Sequence, residues 1–109
     1  MNFNEYQKLA RSTAIYPEEY KVVYPALGLC GEAGEVAEKV KKSIRDGIDY
    51  WEEEQFKEDL TKELGDVLWF VAQMATELKV DLEYVAETNI KKLTSRAKRG
   101  KIKGSGDNR

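Results

Sequence analysis

Two pairs of acidic residues are better suited to chemistry than any other residues in this sequence. Glu32 and Glu35 lie in GEAGE, and Glu63 and Asp66 lie in ELGD. If both segments are helical, a spacing of three places the two carboxylates of each pair on one face. Four carboxylates around one groove repel one another unless a cation neutralises them. The pattern therefore predicts a metal site with a phosphorylated guest, because Mg²⁺ keeps ligand positions for substrate phosphates.

The absence of histidine limits which metal and which chemistry are available. It excludes histidine general bases, Ser-His and Cys-His nucleophiles, and imidazole-ligated zinc or di-iron sites. A metal must then be held by oxygen. We expect Mg²⁺, with Mn²⁺ as a substitute, because hard cations prefer carboxylate ligands.

Glycines accompany the acidic residues, although each costs about 1 kcal/mol relative to alanine within a helix. Gly28 and Gly31 lie on the same stripe as Glu32 and Glu35. We expect these glycines to leave a shallow trough in which a bound group approaches the backbone. Taken alone, either acidic pair could be solvated helix surface; both pairs with glycines favour a site.

An amide and two cations form a complementary pattern near the end of the chain. Asn89 falls within an apolar stripe, and Lys92 and Arg96 follow at three and seven positions. A buried amide needs a partner. If this face borders the acidic groove, we expect Asn89 to bind metal-bound water or phosphate, and Lys92 and Arg96 to neutralise phosphate charge. The alternative for the two cations is an exposed place near a helix C-terminus, where the dipole favours them.

Hydrophobic periodicity places all these residues on helices. Apolar residues recur every three or four positions in four segments, at about residues 3–13, 25–45, 53–79 and 81–98, and no segment alternates as a strand does. The second segment carries an apolar stripe that we expect to face the core: Ala26, Cys30, Ala33, Ala37, Val40 and Ile44. The predicted fold class is all-α, a four-helix-type bundle with antiparallel neighbours that oligomerisation completes.

Length and composition predict one domain in a reducing compartment. The 109 residues fit a single domain, assigned to residues 1–99, followed by a flexible basic, glycine-rich tail at residues 100–109. A net charge of -2 favours neither nucleic acid nor an anionic membrane as a partner. The lone Cys30, the absence of a leader pattern and an apolar run of only residues 67–72 indicate a cytoplasmic, non-membrane protein.

The two acidic segments resemble a known family signature. YPALGLCGEAGEVAEKVKK followed by KELGDVLWFVAQMA is similar to the ExxE and ExxD helices of the MazG-like all-α nucleoside triphosphate pyrophosphohydrolases, which include the dCTP pyrophosphatases. The resemblance covers nearly the whole chain. Many MazG members have a further glutamate just before the first of the pair. This chain has Gly31 at that position, and in this it resembles the dCTP-pyrophosphatase-like branch.

The resemblance implies a reaction and a set of roles. An NTP or dNTP would be hydrolysed to the monophosphate and pyrophosphate by attack of metal-activated water at the α-phosphorus. Glu32, Glu35, Glu63 and Asp66 would ligate Mg²⁺, with Glu35 and Glu63 as catalytic carboxylates and Glu35 orienting or deprotonating the water. Phe70 would lie near the base pocket, and Lys92 and Arg96 would contact the phosphates.

Assembly and an alternative function complete the expectations. The resemblance implies a homodimer or homotetramer with sites at subunit boundaries. The competing interpretation is a non-catalytic helical dimeric module that pairs with another protein and binds no substrate.

Overall fold

The computed structural model describes residues 1–49 and 51–109. Over these residues the chain forms four α-helices and no strand, so the predicted all-α class is confirmed. The helices are α1 (Phe3–Arg11), α2 (Val23–Asp46), α3 (Glu54–Glu77) and α4 (Leu82–Lys98), and a short 3-10 helix, Glu18–Tyr20, precedes α2.

Local sequence signals define several helix ends. The Asn2 side chain caps α1, because its Oδ1 accepts a hydrogen bond of 2.8 Å from the Glu5 amide. Gly47 ends α2 with φ +64°, a left-handed conformation that glycine adopts without strain, as the DG sequence predicts. Asp81 is the N-cap residue of α4, although its side chain makes no capping hydrogen bond.

Helices α2 and α3 form an antiparallel hairpin. Gly28 meets Phe70 near one end, Glu32 meets Glu63 and Asp66 in the middle, and Lys39 pairs with Glu63 further along. The acidic pairs are therefore positioned by one pair of neighbouring helices.

Helix α1 packs against the second half of α3 and against the start of α4. The buried core is small and consists of Ala10, Ala72, Ala75 and Leu82, with Tyr6, Trp69, Val71 and Val80 packed around it. Gln7 joins the three elements: its amide nitrogen donates to Thr76 Oγ1 and to the Val80 carbonyl, and its Oε1 accepts from the Leu82 amide. These bonds satisfy polar groups at the turn between α3 and α4.

The apolar stripe of α2 does not face the core of this chain, so that prediction is wrong. Cys30, Ala33 and Ala37 are exposed, and Ile44 is 78% exposed. The opposite face of α2, with Gly28, Glu32 and Lys39, contacts α3 instead. Because glycine at position 28 allows the Phe70 ring to approach, the two helices pack through this polar and small-residue face.

The predicted inner stripe of α4 is buried only at its start. Leu82 is 4% exposed, whereas Val85, Asn89 and Leu93 are exposed. The hydrogen bonds between α4 and α1 involve Leu82 and Glu83, so the rest of the helix extends beyond α1. The prediction of a buried amide at Asn89 is therefore wrong for the single chain.

The periodicity of α3 agrees better with the structure. Ala75 is buried, and Leu64 and Leu78 are exposed. The other apolar residues that recur every three or four positions are half-buried: Phe56, Leu60, Val67, Leu68 and Val71. Among the described residues, no helix combines the length and the apolar character that crossing a bilayer requires.

Candidate functional site

Three of the four predicted carboxylates meet between α2 and α3. Glu32, Glu63 and Asp66 each place a carboxylate oxygen within 4.8 Å of the others. We call these three residues the acidic triad. Glu32 and Glu63 are half-buried, whereas Asp66 is exposed, so the triad opens to solvent on one side.

Mutual repulsion within the triad acts on Glu32. Partial loss of water raises the pKa of this carboxyl, and the negative charges of Asp66, Glu63 and Glu35 raise it further, in that order. Lys39 partly offsets the charge, since its Nζ lies 3.7 Å from Glu63 Oε1. The excess negative charge that remains favours a bound cation.

Glu35 lies next to the triad without belonging to it. It is exposed on α2, one turn after Glu32, and its charge contributes to the raised pKa of Glu32. The structure therefore brings together Glu32, Glu63 and Asp66 and leaves Glu35 at the solvent side.

The donor set of the triad fits Mg²⁺ or Mn²⁺. Its members offer carboxylate oxygens from two rigid helices, and Mg²⁺ is usually bound by one or two carboxylates together with water and phosphate. The closeness of the three oxygens is unfavourable without a cation and favourable with one. Glu32, Glu63 and Asp66 are thus the residues that could hold such an ion.

Four aromatic side chains contact one another and form what we call the aromatic cluster: Tyr16, Tyr24, Trp69 and Phe70. Tyr16 stacks on Tyr24 with ring centroids 5.2 Å apart, and Trp69 meets Phe70 edge-on at 5.0 Å. Phe70 lies one helical turn after Asp66, so the cluster begins where the triad ends. Such rings offer flat apolar surface beside a charged site.

Gly28 is required for packing and does not form the predicted trough. A Cβ at this position would overlap the Phe70 ring, whereas a Cβ at Gly31 would meet no atom within 4 Å. The absence of a side chain at position 28 therefore makes room for an aromatic ring of the protein itself. Open space for a guest remains at Gly31.

A network of hydrogen bonds holds the hydroxyl group of Tyr16, one member of the aromatic cluster. The Tyr16 hydroxyl donates to Glu77 Oε2 at 2.6 Å and accepts from Arg11 Nη1 at 2.7 Å. Arg11 Nη1 also donates to Oε1 of the fully buried Gln73 at 3.1 Å. The Tyr16 ring is thus fixed at its polar end by α1 and by the end of α3.

The predicted phosphate-binding residues lie apart from these contacts. Lys92 and Arg96 contact the C-terminal tail: Lys92 Nζ lies 3.8 Å from Asp107 Oδ1, and Arg96 Nη2 donates to the Asp107 carbonyl at 2.8 Å. Asn89 is exposed on α4. Contacts of Asn89, Lys92 or Arg96 with the triad do not occur among the described residues of this single chain.

Sequence reasoning missed several residues around the site. Tyr16 and Tyr24 each precede a proline, which is the signal that the two residues share; Tyr16 lies in the irregular segment before the 3-10 helix, whereas Tyr24 lies in the first turn of α2. Lys39, whose ammonium group pairs with Glu63, has no comparable signal in the sequence. Tyr6 on α1 is a further residue of this kind. Burial raises the pKa of its hydroxyl, and the nearby charge of Asp66 raises it further.

Comparison with known proteins agrees with this architecture. The MazG nucleotide pyrophosphohydrolase domain matches residues 25–100, a range that contains the triad. The chain is 48% identical over 115 residues to the Gene 37 protein of Mycobacterium phage L5, with 100% of both chains covered. No solved structure matches. With a match over α2, α3 and α4 and a relative aligned along its whole length, this chain belongs to the MazG nucleotide pyrophosphohydrolase family.

Proposed function

We propose that this protein hydrolyses a nucleoside triphosphate or deoxynucleoside triphosphate to the monophosphate and pyrophosphate. The observation that carries the proposal is the acidic triad, three carboxylates from α2 and α3 within 4.8 Å of one another. Family membership supports the reaction class. The charge of the triad supports Mg²⁺, or Mn²⁺, as the ion that substrate phosphates would share.

In this proposal all four carboxylates bind the ion, and Glu35 also takes part in proton transfer. Glu32, Glu63 and Asp66 hold the ion, and Glu35 adds a fourth ligand from the solvent side. When bound, Mg²⁺ neutralises phosphate charge and makes water a better nucleophile. Glu35, which is exposed and outside the triad, orients the attacking water and accepts its proton. Glu63 helps to position the α-phosphoryl group through the ion that it binds.

The aromatic cluster is the proposed nucleoside side of the site. It follows the triad along α3, so a triphosphate at the carboxylates would direct its sugar and base towards Phe70. A base can stack on aromatic rings because each base has a π-face. Phe70 keeps the substrate-binding role assigned from the sequence.

Asn89, Lys92 and Arg96 are proposed to contact the phosphates from α4. Cations that face a triphosphate stabilise the charge that develops on departing pyrophosphate. Since these residues are remote from the triad contacts within one chain, a second copy is the proposed source of the α4 that completes each site.

The exposed apolar stripe of α2 supports an assembly of this kind. Ala33, Ala37 and Ile44 expose apolar surface that no element within residues 1–49 and 51–109 covers. We propose a homodimer or homotetramer, with this stripe at an interface. Sedimentation equilibrium measures the mass directly, and a monomer at all concentrations would contradict the assembly.

The reaction is tested by incubating the protein with each common NTP and dNTP, with Mg²⁺ or with EDTA, and separating the products by ion exchange. We expect monophosphate and pyrophosphate in the presence of Mg²⁺ only. In ¹⁸O-labelled water, the label should enter the monophosphate, because attack occurs at the α-phosphorus. Label in the pyrophosphate would contradict that point of attack.

A matched pair of variants connects turnover to the triad. Glu63→Gln removes one triad carboxylate, and Glu58→Gln makes the same change at an exposed position on the same helix. We expect turnover to fall at least about a hundredfold in the first variant and to be retained in the second. No turnover of any nucleotide by the folded wild-type protein would instead favour a non-catalytic helical interaction module.

A further inference from the structure

The C-terminal tail, residues 100–109, forms a compact turn on the end of α4. Arg109 organises it, since its guanidinium donates to the carbonyls of Lys101, Ile102 and Gly106 at 2.6 to 3.0 Å. Arg99 Nη2 donates to the Arg109 carbonyl oxygen at 2.8 Å. The tail thus has a defined set of internal contacts.

Glycines make this turn possible. Gly100, Gly104 and Gly106 have φ values of +67°, +123° and +86°, a region in which residues with a side chain are strained. The spacing of these glycines and the terminal arginine is therefore matched to the folded-back conformation, although the segment carries little apolar surface to hold it in place.

The turn buries Arg96 and contacts the partly exposed Lys92, the two cations that the proposed function assigns to phosphate. Arg96 is 4% exposed, and its Nη2 donates to the carbonyls of Gly106 and Asp107. Asp107 also places Oδ1 3.8 Å from Lys92 Nζ. Because Lys92 and Arg96 are four residues apart on one helix, they share a face, and the tail occupies that face.

The tail satisfies Arg96 incompletely. Nε of Arg96 is buried and has no hydrogen-bond partner, and among the described residues no carboxylate forms an ion pair with this guanidinium. A buried cation that donates hydrogen bonds only to neutral carbonyl oxygens lacks a counter-charge. Phosphate oxygens are better partners, because a guanidinium binds them through two parallel, charge-assisted hydrogen bonds.

The surrounding charge also favours an anion. Residues 91–109 contain eight lysines and arginines and a single acidic side chain, that of Asp107. The distance between Lys92 and Asp107 is long for an ion pair, and the Asp107 side chain is 92% exposed, so solvent screens the pair. The pair therefore opposes release of the tail only weakly.

We propose that residues 100–109 are a releasable cover over Lys92 and Arg96, displaced when phosphate oxygens replace the Gly106 and Asp107 carbonyls. The inference rests on the proposed function, since it concerns access to the phosphate side of that site. The free protein holds the cover closed, and a nucleotide or pyrophosphate binds at the cost of opening it. The apparent affinity for the phosphate chain is the intrinsic affinity multiplied by the fraction of molecules that are open.

Nuclear magnetic resonance of the wild-type protein tests the cover without turnover. The ¹⁵N heteronuclear NOE of Gly104 and Gly106 should be high in the free protein and should fall when inorganic pyrophosphate is added without Mg²⁺. A tail that is already disordered without pyrophosphate, or one that stays rigid when pyrophosphate is bound, would overturn the proposal.

Kinetics of full-length variants provide the second test. Arg109→Ala removes the hydrogen bonds that organise the turn, and Lys103→Ala removes an exposed tail charge that forms no hydrogen bond or ion pair with the residues that the structure describes. We expect Arg109→Ala to lower KM by about three- to tenfold with kcat unchanged, because opening becomes easier, and Lys103→Ala to change KM little. A higher KM in Arg109→Ala would show that the tail closes on substrate and would refute the cover.

The two proposals fail separately. If the wild-type protein hydrolyses nucleotides but KM is the same in Arg109→Ala and Lys103→Ala, the cover is wrong and the function stands. If the wild-type protein hydrolyses none, the function is wrong, and the response of Gly104 and Gly106 to pyrophosphate still decides the cover.

Discussion

The Phe70 ring occupies the space that a side chain at Gly28 would need. This relationship joins α2 to α3 one turn away from the acidic triad and fixes a ring of the aromatic cluster. A substitution at Gly28 therefore acts on packing and on the nucleoside side of the site together.

Gly28→Ala should destabilise the protein, although alanine is the better helix former. The new methyl group would displace Phe70, and overpacking of this kind costs about 1–3 kcal/mol. Gly34→Ala is the matched control on the same helix, because a Cβ there meets no atom within 4 Å; it should stabilise by about 0.5–1 kcal/mol. Urea unfolding measures both, and equal effects would contradict the packing role of Gly28.

Mg²⁺ should stabilise the folded protein through the triad. At a concentration of one hundred times Kd, a ligand of the native state adds about 2.7 kcal/mol to the free energy of unfolding. We expect this gain in the wild-type protein and in Glu58→Gln, and its loss in Asp66→Asn. Thermal unfolding with increasing Mg²⁺ is the measurement, and an unchanged gain in Asp66→Asn would place the ion elsewhere.

The raised pKa of Glu32 predicts a particular pH dependence without Mg²⁺. The folded state binds the Glu32 proton more readily than the unfolded state does, so the contribution of this group to stability increases as pH falls towards the ordinary glutamate range. Glu32→Gln should stabilise the metal-free protein at neutral pH and remove that contribution. Unfolding between pH 7 and about pH 4 tests this, with Glu58→Gln as the control; destabilisation by Glu32→Gln would refute it.

Lys39 should oppose metal binding by partly neutralising Glu63. Lys39→Met keeps much of the side-chain length and removes the ammonium group 3.7 Å from Glu63 Oε1. We expect tighter Mg²⁺ binding by less than about tenfold, because half-exposed pairs of this kind contribute at most about 1 kcal/mol. Calorimetric titration without nucleotide measures Kd. Lys62→Met, an exposed change on α3, should leave Kd unchanged.

Tyr16→Phe should reduce stability by about 1–3 kcal/mol, because the Glu77 carboxylate loses a hydrogen bond in a place where water cannot fully replace it. Tyr20→Phe is the control, since the Tyr20 ring is exposed and lies outside this network. Urea unfolding of both variants measures the difference. Equal stability of the two variants would show that the network does not hold Tyr16.

Much of this fold was predictable because local rules determine it. The periodicity of α3, the glycine stop after α2 and the three-residue spacing of the carboxylates all describe contacts within one helix or at its end. These rules predict the four helices to within a few residues and place Glu63 and Asp66 on one face of α3.

Contacts between distant segments were less predictable. The choice of which α2 face meets α3 depends on Phe70 fitting against Gly28, which no periodicity of α2 alone reveals. The burial of Arg96 depends on glycines that lie after the helix ends. Tyr16 joins the site through a hydrogen bond to Glu77, 61 residues away in sequence.

The antiparallel hairpin of α2 and α3 has a consequence for evolution and for engineering. All three triad residues belong to this one hairpin, and Glu63, the triad residue on α3 that is nearest the connection, lies nine residues after Glu54, about 13 Å along the helix. Insertions or deletions between Asp46 and Glu54 therefore leave the carboxylates in register. The connection is the natural place for related chains to differ in length and for a designer to attach a label or a tether.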